Sequence, residues 1–295
     1  MITAELPDLV LCDLDGVVWL GGEPIRGSVA AIDRLRHAGL RVVFVTNSSA
    51  PTIGEHTAAL ARIGIDADGD VVSSASAAAE LITAGERVLV CGGPGIAEAV
   101  GSAGATVVDG SDAAGVATGV DAVVAGFHRT FDYHRLELAT AAVRGGARFI
   151  ATNRDPLFPT PAGPIPGGGS IVAAIATAAG VEPETAGKPY APMARAVARL
   201  LGGTDDDDGA FPQRKWGESA PNRLWKAWGR RVVVVGDQAA IDGRFAAELG
   251  CRFALVRSGN TPTFAAVEPA ADYDDADLAG VVEQLLAART SRADR

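Results

Sequence analysis

The sequence predicts an α/β protein built on a parallel sheet, and three features predict it. Short apolar runs rich in Val, Ile and Leu recur along the chain, and runs apolar on both faces suit strands covered by helices on each side. Longer Ala- and Leu-rich stretches at helical spacing alternate with them. Three strands end in polar residues, as VLCDLD, VFVTNSS and VVVVGDQ, and the carboxyl edge of an open α/β sheet is where ligands bind.

In chain order, strands are expected at Leu9–Cys12, Arg41–Val45, Arg87–Cys91, Asp121–Gly126, Arg148–Ala151, Arg231–Val235 and Phe253–Val256. Helices are expected at Ser28–His37, Ala75–Thr83, Asp132–Arg144, Ser170–Ala178, Pro192–Leu201, Phe245–Leu249 and Asp277–Ala288, with another starting near Pro51. Two glycine clusters read as turns. Cys91-Gly92-Gly93-Pro94-Gly95 lacks the Gly-x-Gly-x-x-Gly spacing of a dinucleotide loop, and Gly167-Gly168-Gly169 lacks the Lys-Ser/Thr ending of a Walker loop.

Composition narrows the function. With 295 residues, 48% hydrophobic and 21% charged, the chain can bury one large or two modest cores and is not disordered. The formal net charge of −10 opposes binding to nucleic acid or to an anionic membrane surface. Cys12, Cys91 and Cys251 form no paired spacing, so neither structural disulfides nor a zinc site is expected, and a reducing, cytoplasmic setting is. The first residues lack a basic start, and no run of about 18 apolar residues occurs, so neither a leader nor a membrane span is expected. His37, His56, His128 and His134 have no metal-binding spacing, and no Gly-x-Ser-x-Gly elbow is present.

Candidate chemistry gathers at the strand ends. Asp13 and Asp15 stand at i and i+2 after an apolar strand, so their carboxylates face one small volume, a costly arrangement without a cation or a shared proton. Thr46, followed by Asn47, Ser48 and Ser49, offers a hydroxyl and helix-start amides to a phosphate. Lys188 precedes a helix, and Asp237 with Asp242 lies beyond another apolar strand. Taken singly, each has an ordinary explanation: an Asp-Gly turn, an N-cap cluster, a solvated lysine, a helix cap.

Taken together, DLDG, TNSS, GKP and GD with a following Asp resemble the four motifs of the haloacid dehalogenase-like phosphatases. DLDGVVWLGGEPIRGS, RFIATNRDPLFPTPAGPIPGGGSIVAAI and AGKPYAPM are most similar to class IIA, the NagD-like and nitrophenyl phosphatase group. The resemblance spans about residues 8 to 290. It implies a Rossmann-like catalytic core, residues 1–79 and 183–295, interrupted by a smaller α/β cap domain at 80–182. It makes Asp13 the nucleophile and Asp15 the general acid and later base. Thr46 and the Asn47 amide would hold the phosphoryl group, and Lys188 would neutralise it. Mg2+ would sit on Asp13, the backbone carbonyl of Asp15 and Asp237, with Asp242 supporting. In the cap, Asn153, Arg154 and Asp155 are candidates for contacting the leaving group, with a plain turn before Pro156 as the alternative. Ile241 and Gly243 depart from the Thr and the aliphatic residue common in relatives, which puts the start of the fourth motif's helix in question.

The charges require a metal independently of the resemblance. Four carboxylates against one lysine leave −3, which repels a phosphate dianion, and like charges about 4 Å apart cost roughly 4 kcal/mol per pair at an effective dielectric near 20. Oxygen ligands favour Mg2+. The expected function is therefore a Mg2+-dependent phosphatase acting on a small phosphorylated metabolite through an aspartyl-phosphate. The alternatives are a phosphotransferase or mutase of the same superfamily, or a binding protein without turnover. Residues 202–230 read as an insertion carrying Trp216, Trp225 and Trp228, either a surface excursion or a docking patch for a partner such as a second subunit in a homodimer.

Overall fold

The computed structural model describes residues 7–158, 160, 163–202, 229–261 and 266–293. Its principal strands are β1 Leu9–Cys12, β2 Arg41–Thr46, β3 Val71–Ser73, β4 Arg87–Cys91, β5 Thr106–Asp109, β6 Ala122–Ala125, β7 Arg148–Ala151, β8 Glu184–Thr185, β9 Val232–Gly236, β10 Arg252–Val256 and β11 Tyr273–Asp275. The helices are α1 Ser28–His37, α2 Ile53–Arg62, α3 Ser74–Ala79, α4 Pro94–Ser102, α5 Ala113–Ala117, α6 Tyr133–Arg144, α7 Gly168–Ala179, α8 Ala191–Leu200, α9 Arg244–Leu249 and α10 Leu278–Ala293. The chain divides into two units, one of residues 1–45, 57–71 and 197–295, the other of 46–56 and 72–196.

The first unit holds a sheet of order β11-β10-β9-β1-β2-β3, parallel at every pairing from β11 through β2. All four residues of β1 and all five of β9 are buried, which explains why both are unbroken apolar runs rather than alternating ones. Helices α1 and α10 pack together, with Leu35 and Leu285 inside. The second unit carries its own parallel sheet, order β8-β7-β6-β4-β5. Its core joins Leu89, Val123 and Phe149 from the sheet with Val172 and Ile175 of α7. The α/β class and its parallel sheets are thus as expected from the apolar runs.

Both glycine clusters are helix starts, not turns. Gly93 is the residue before α4, whose first position is Pro94, and Gly167 is the residue before α7; proline at a first helical position fits because its missing N–H would have no helical partner there. The glycines are needed for close approach. A Cβ on Gly93 would lie 2.6 Å from that of Ala50, and one on Gly168 2.9 Å from the Phe127 nitrogen. Helix α3 ends at Ala79, short of the expected Thr83, because Glu80, Leu81 and Ile82 donate to carbonyls three residues back and tighten the chain out of the α-helix. Strand β5 and helix α5 are too short to show a period. Among the described residues, no helix is long and apolar enough to cross a membrane. Residues 203–228, and with them all three tryptophans of the expected insertion, lie outside the described residues.

At the fourth motif, Ala239–Gly243 forms a π-helical turn that runs into α9. Ile241 and Gly243 both lie in this turn. The turn presses Gly243 against its neighbours: a Cβ there would come 2.9 Å from Pro269 Cγ and 3.0 Å from Phe253 Cε1. Gly243→Val should therefore destabilise the protein by about 1–3 kcal/mol through overpacking. Urea unfolding of the two proteins at neutral pH measures it, and equal midpoints would contradict the packing.

Candidate active site

In the first unit, the register of β1 and β9 assembles the acids. Cys12 pairs with Val235, and the Asp13 N–H donates to the Val235 carbonyl at 2.9 Å, so Asp13 leaves β1 where β9 ends in Gly236 and Asp237. The π-helical turn then returns Asp242, whose N–H donates to Gln238 O at 2.7 Å while its Oδ2 accepts from the Gln238 N–H at 3.2 Å. Gly236 admits this return, since any Cβ there would overlap the Asp242 carboxylate. As a result Asp13, Asp237 and Asp242 each offer an oxygen within 4.8 Å of the others. Asp13 is 9% exposed, and Asp237 and Asp242 are fully buried.

The carboxylate of Asp15 is not one of the three. Its Oδ1 accepts from the indole Nε1 of Trp19 at 3.0 Å, and the chain turns between them at Gly16, φ 82°. Leu14 N–H donates to Asp13 Oδ1 at 2.8 Å. The segment after β10 supplies contacts that the sequence reading missed. Asn260 donates to Asp237 Oδ2 from its backbone at 2.6 Å and from its side chain at 3.0 Å. The Thr261 hydroxyl donates to the Asp237 carbonyl, and Ser258 Oγ donates to Gly16 O at 2.7 Å.

In the second unit, Asn47 is the centre of a polar network. Its Oδ1 accepts from the Lys188 N–H at 2.8 Å, and its Nδ2 donates to Lys188 O and to Asp155 Oδ2, both at 3.2 Å. Its carbonyl accepts from Asn153 Nδ2 and Ser74 Oγ, each at 2.6 Å. Thr46, buried at the end of β2, accepts from the Ser48 N–H through Oγ1 at 3.0 Å. Thr46, Asn47, Asn153, Asp155 and Lys188 are therefore brought together, with Asn153 and Asp155 turned onto Asn47. Arg154 faces away and pairs with Glu182 at 2.8 Å.

Comparison with known proteins identifies the family. Residues 10–106 match the family model for haloacid dehalogenase-like hydrolases and residues 185–286 the HAD-hydrolase-like model. A D-glycerol 3-phosphate phosphatase of Mycobacterium tuberculosis is 40% identical over 202 residues, 66% of this chain and 55% of that protein, so the chain spans little more than half of it. The crystal structure of a glycerol phosphate phosphatase from the same organism, in complex with magnesium, superposes with a TM-score of 0.75 at 33% identity, covering 95% of this chain and 77% of that one. The chain belongs to the haloacid dehalogenase-like hydrolases. A p-nitrophenyl phosphatase from Archaeoglobus fulgidus, TM-score 0.76 at 26% identity over 95% of this chain and 100% of that one, supports its place in class IIA.

The acid centre of this hydrolase fits a hard divalent cation. Three carboxylates buried so close together repel one another by roughly 4 kcal/mol per pair at 4 Å and an effective dielectric near 20, and they offer oxygen alone. Behind the Thr46–Ser49 loop, His56 is 4% exposed and hydrogen-bonds the Ser48 carbonyl through its ring, while its Nε2 finds no hydrogen-bond partner among the described residues. Burial pushes the His56 pKa below its usual value, with the Ser48 bond and the charge of Glu55 opposing.

Because the folded state resists protonating His56, the unfolded chain binds more protons once the pH drops below about 6.5, and stability is lost as pH falls through that value. The slope contributed by one such group is at most about 1.4 kcal/mol per pH unit. Urea unfolding between pH 7.5 and 5.5 should therefore show a shallower acid loss for His56→Leu than for the unmodified chain. Parallel pH dependences would contradict the assignment.

Proposed function

We propose that this hydrolase is a Mg2+-dependent phosphomonoesterase that passes the phosphoryl group of a small phosphorylated metabolite to Asp13 and then to water. The observation that carries the reading is the buried trio of Asp13, Asp237 and Asp242 within 4.8 Å, beside an Asp15 whose carboxylate is held separately. Asp13, Asp237, Asp242 and the backbone carbonyl of Asp15 would hold Mg2+, which when bound neutralises the carboxylates and the phosphate oxygens.

The chain's own residues do the rest. Leu14 N–H holds Asp13 Oδ1, fixing the carboxylate whose oxygen attacks phosphorus. As the ester bond breaks, Asp15 gives its proton to the leaving alcohol oxygen; it then takes a proton from the water that attacks the aspartyl-phosphate, releasing inorganic phosphate and restoring Asp13. The Trp19 indole fixes Asp15 Oδ1 for both transfers. Thr46 and the Asn47 amide hold the phosphoryl oxygens, and Lys188, whose backbone is tied to Asn47 at 2.8 Å, supplies the positive charge. The segment 80–182 serves as a cap that selects the leaving group, in which Asn153 and Asp155 act on substrate through the Asn47 loop they grip. The named activity of the 40% identical relative makes glycerol phosphate and other polyol or sugar phosphates the first substrates to test.

Hydrolysis of p-nitrophenyl phosphate by the purified chain should require Mg2+ and stop when a chelator is added, with activity returning on addition of Mg2+. Undiminished turnover in metal-free buffer would overturn the reading. Asp13→Asn should abolish turnover on every substrate. Asp15→Asn should cost about 10²–10⁴-fold in kcat on alkyl phosphates and clearly less on aryl phosphates, whose leaving groups need less protonation. Equal losses on both would remove Asp15 from the acid role.

A further inference from the structure

The Ser258–Thr261 segment is built around one carboxylate. Asn260 directs two donors, its backbone N–H and its side-chain Nδ2, at the same Oδ2 of Asp237, at 2.6 and 3.0 Å, and the Thr261 hydroxyl takes the carbonyl of that residue. Hydrogen bonds to an ionised acceptor are about twice as strong as neutral ones, and two donors from one residue fix both position and rotation. The backbone closes in on the same oxygen. A Cβ on Gly16 would stand 2.5 Å from Asp237 Oδ2 and 3.0 Å from Gly259 Cα, and a side chain on Gly259 would also overlap Asp237.

We propose that Asn260 is the positioning residue of the metal centre: by committing Oδ2, it makes Asp237 a ligand of one oxygen with a fixed direction and lowers the cost of packing three carboxylates together. The inference rests on the Mg2+ reading of the site. Loss of a group that orients a ligand lowers metal affinity by about 10–100-fold in other metal centres. Isothermal titration of Mg2+ into the full chain tests it, with circular dichroism and metal-free melting run on each variant.

The unmodified chain should bind Mg2+, Asp237→Asn should not, and folded Asn260→Ala should bind it at least tenfold more weakly. A wild-type Kd in folded Asn260→Ala overturns the inference while leaving the metal reading intact. No Mg2+ binding by the unmodified chain overturns both. If Asn260→Ala does not fold, Asn260→Ser retains the backbone donor and removes the amide. A metal-free melting temperature close to wild type with weakened Mg2+ binding supports the role, and unchanged binding refutes it. A simple structural contact would lower the metal-free melting temperature and leave the Kd where it was.

Discussion

The repulsion among Asp13, Asp237 and Asp242 is the constraint around which the first unit is organised. Three carboxylates that lie within 4.8 Å, two of them with no solvent exposure, would move apart or protonate if they were free to do so. They are held by the stiffest parts of the chain. Asp13 and Asp237 leave adjacent, fully buried parallel strands, and Asp242 is returned by a π-helical turn whose amides bond back to Gln238. Donors from Leu14, Gln238 and Asn260 each take one carboxylate oxygen. The electrostatic strain is thus spread over a sheet register, a helix start and a loop, and a cation entering the centre meets ligands whose geometry is already set.

The second unit solves a different problem with one side chain. The side-chain amide of Asn47 donates twice and accepts once, tying the loop after β2 to Lys188 and Asp155 and leaving the Asn47 backbone N–H out of these bonds. Lys188 is 4% exposed, so its backbone would drift without such a tie only at the expense of a buried charge. Fixing the peptide on both sides of the lysine sets where its stem begins. Asn153 and Asp155, which in the sequence read as polar groups after a strand, are both turned onto this shared support.

What the sequence disclosed and what it hid follow from the same physics. Strand ends are legible because an apolar run stops abruptly at a polar residue, and Asp13, Thr46 and Asp237 all announce themselves in that way. Partners across a loop give no such signal: Asn260 lies 23 residues from Asp237, and its role depends on a turn that no periodicity encodes. Trp19 lies only four residues from Asp15, yet nothing in the sequence pattern marks its indole as a partner of that carboxylate. The glycine clusters misled because glycine serves both turns and close packing, and composition does not separate them. Ile241 and Gly243 lie in the five-residue π-helical turn Ala239–Gly243, a winding that no periodicity in the sequence encodes.

The seam between Ala50 and Gly93 has a consequence for recombination. Gly93 sits so close to Ala50 that even a methyl group would collide, and Gly95 donates to the Ala50 carbonyl at 2.8 Å. Residues 46–56 therefore share a packed surface with the segment that starts near residue 72, although some fifteen residues of the other unit separate them in sequence. A chimera that imported a foreign segment at 80–182 alone would pair a new glycine loop with an old Ala50-Pro51, and one that carried 46–56 along would keep the mated surfaces. The compact unit, residues 46–56 and 72–196, is wider than 80–182, and its crossover points lie on either side of the loop that begins at Thr46.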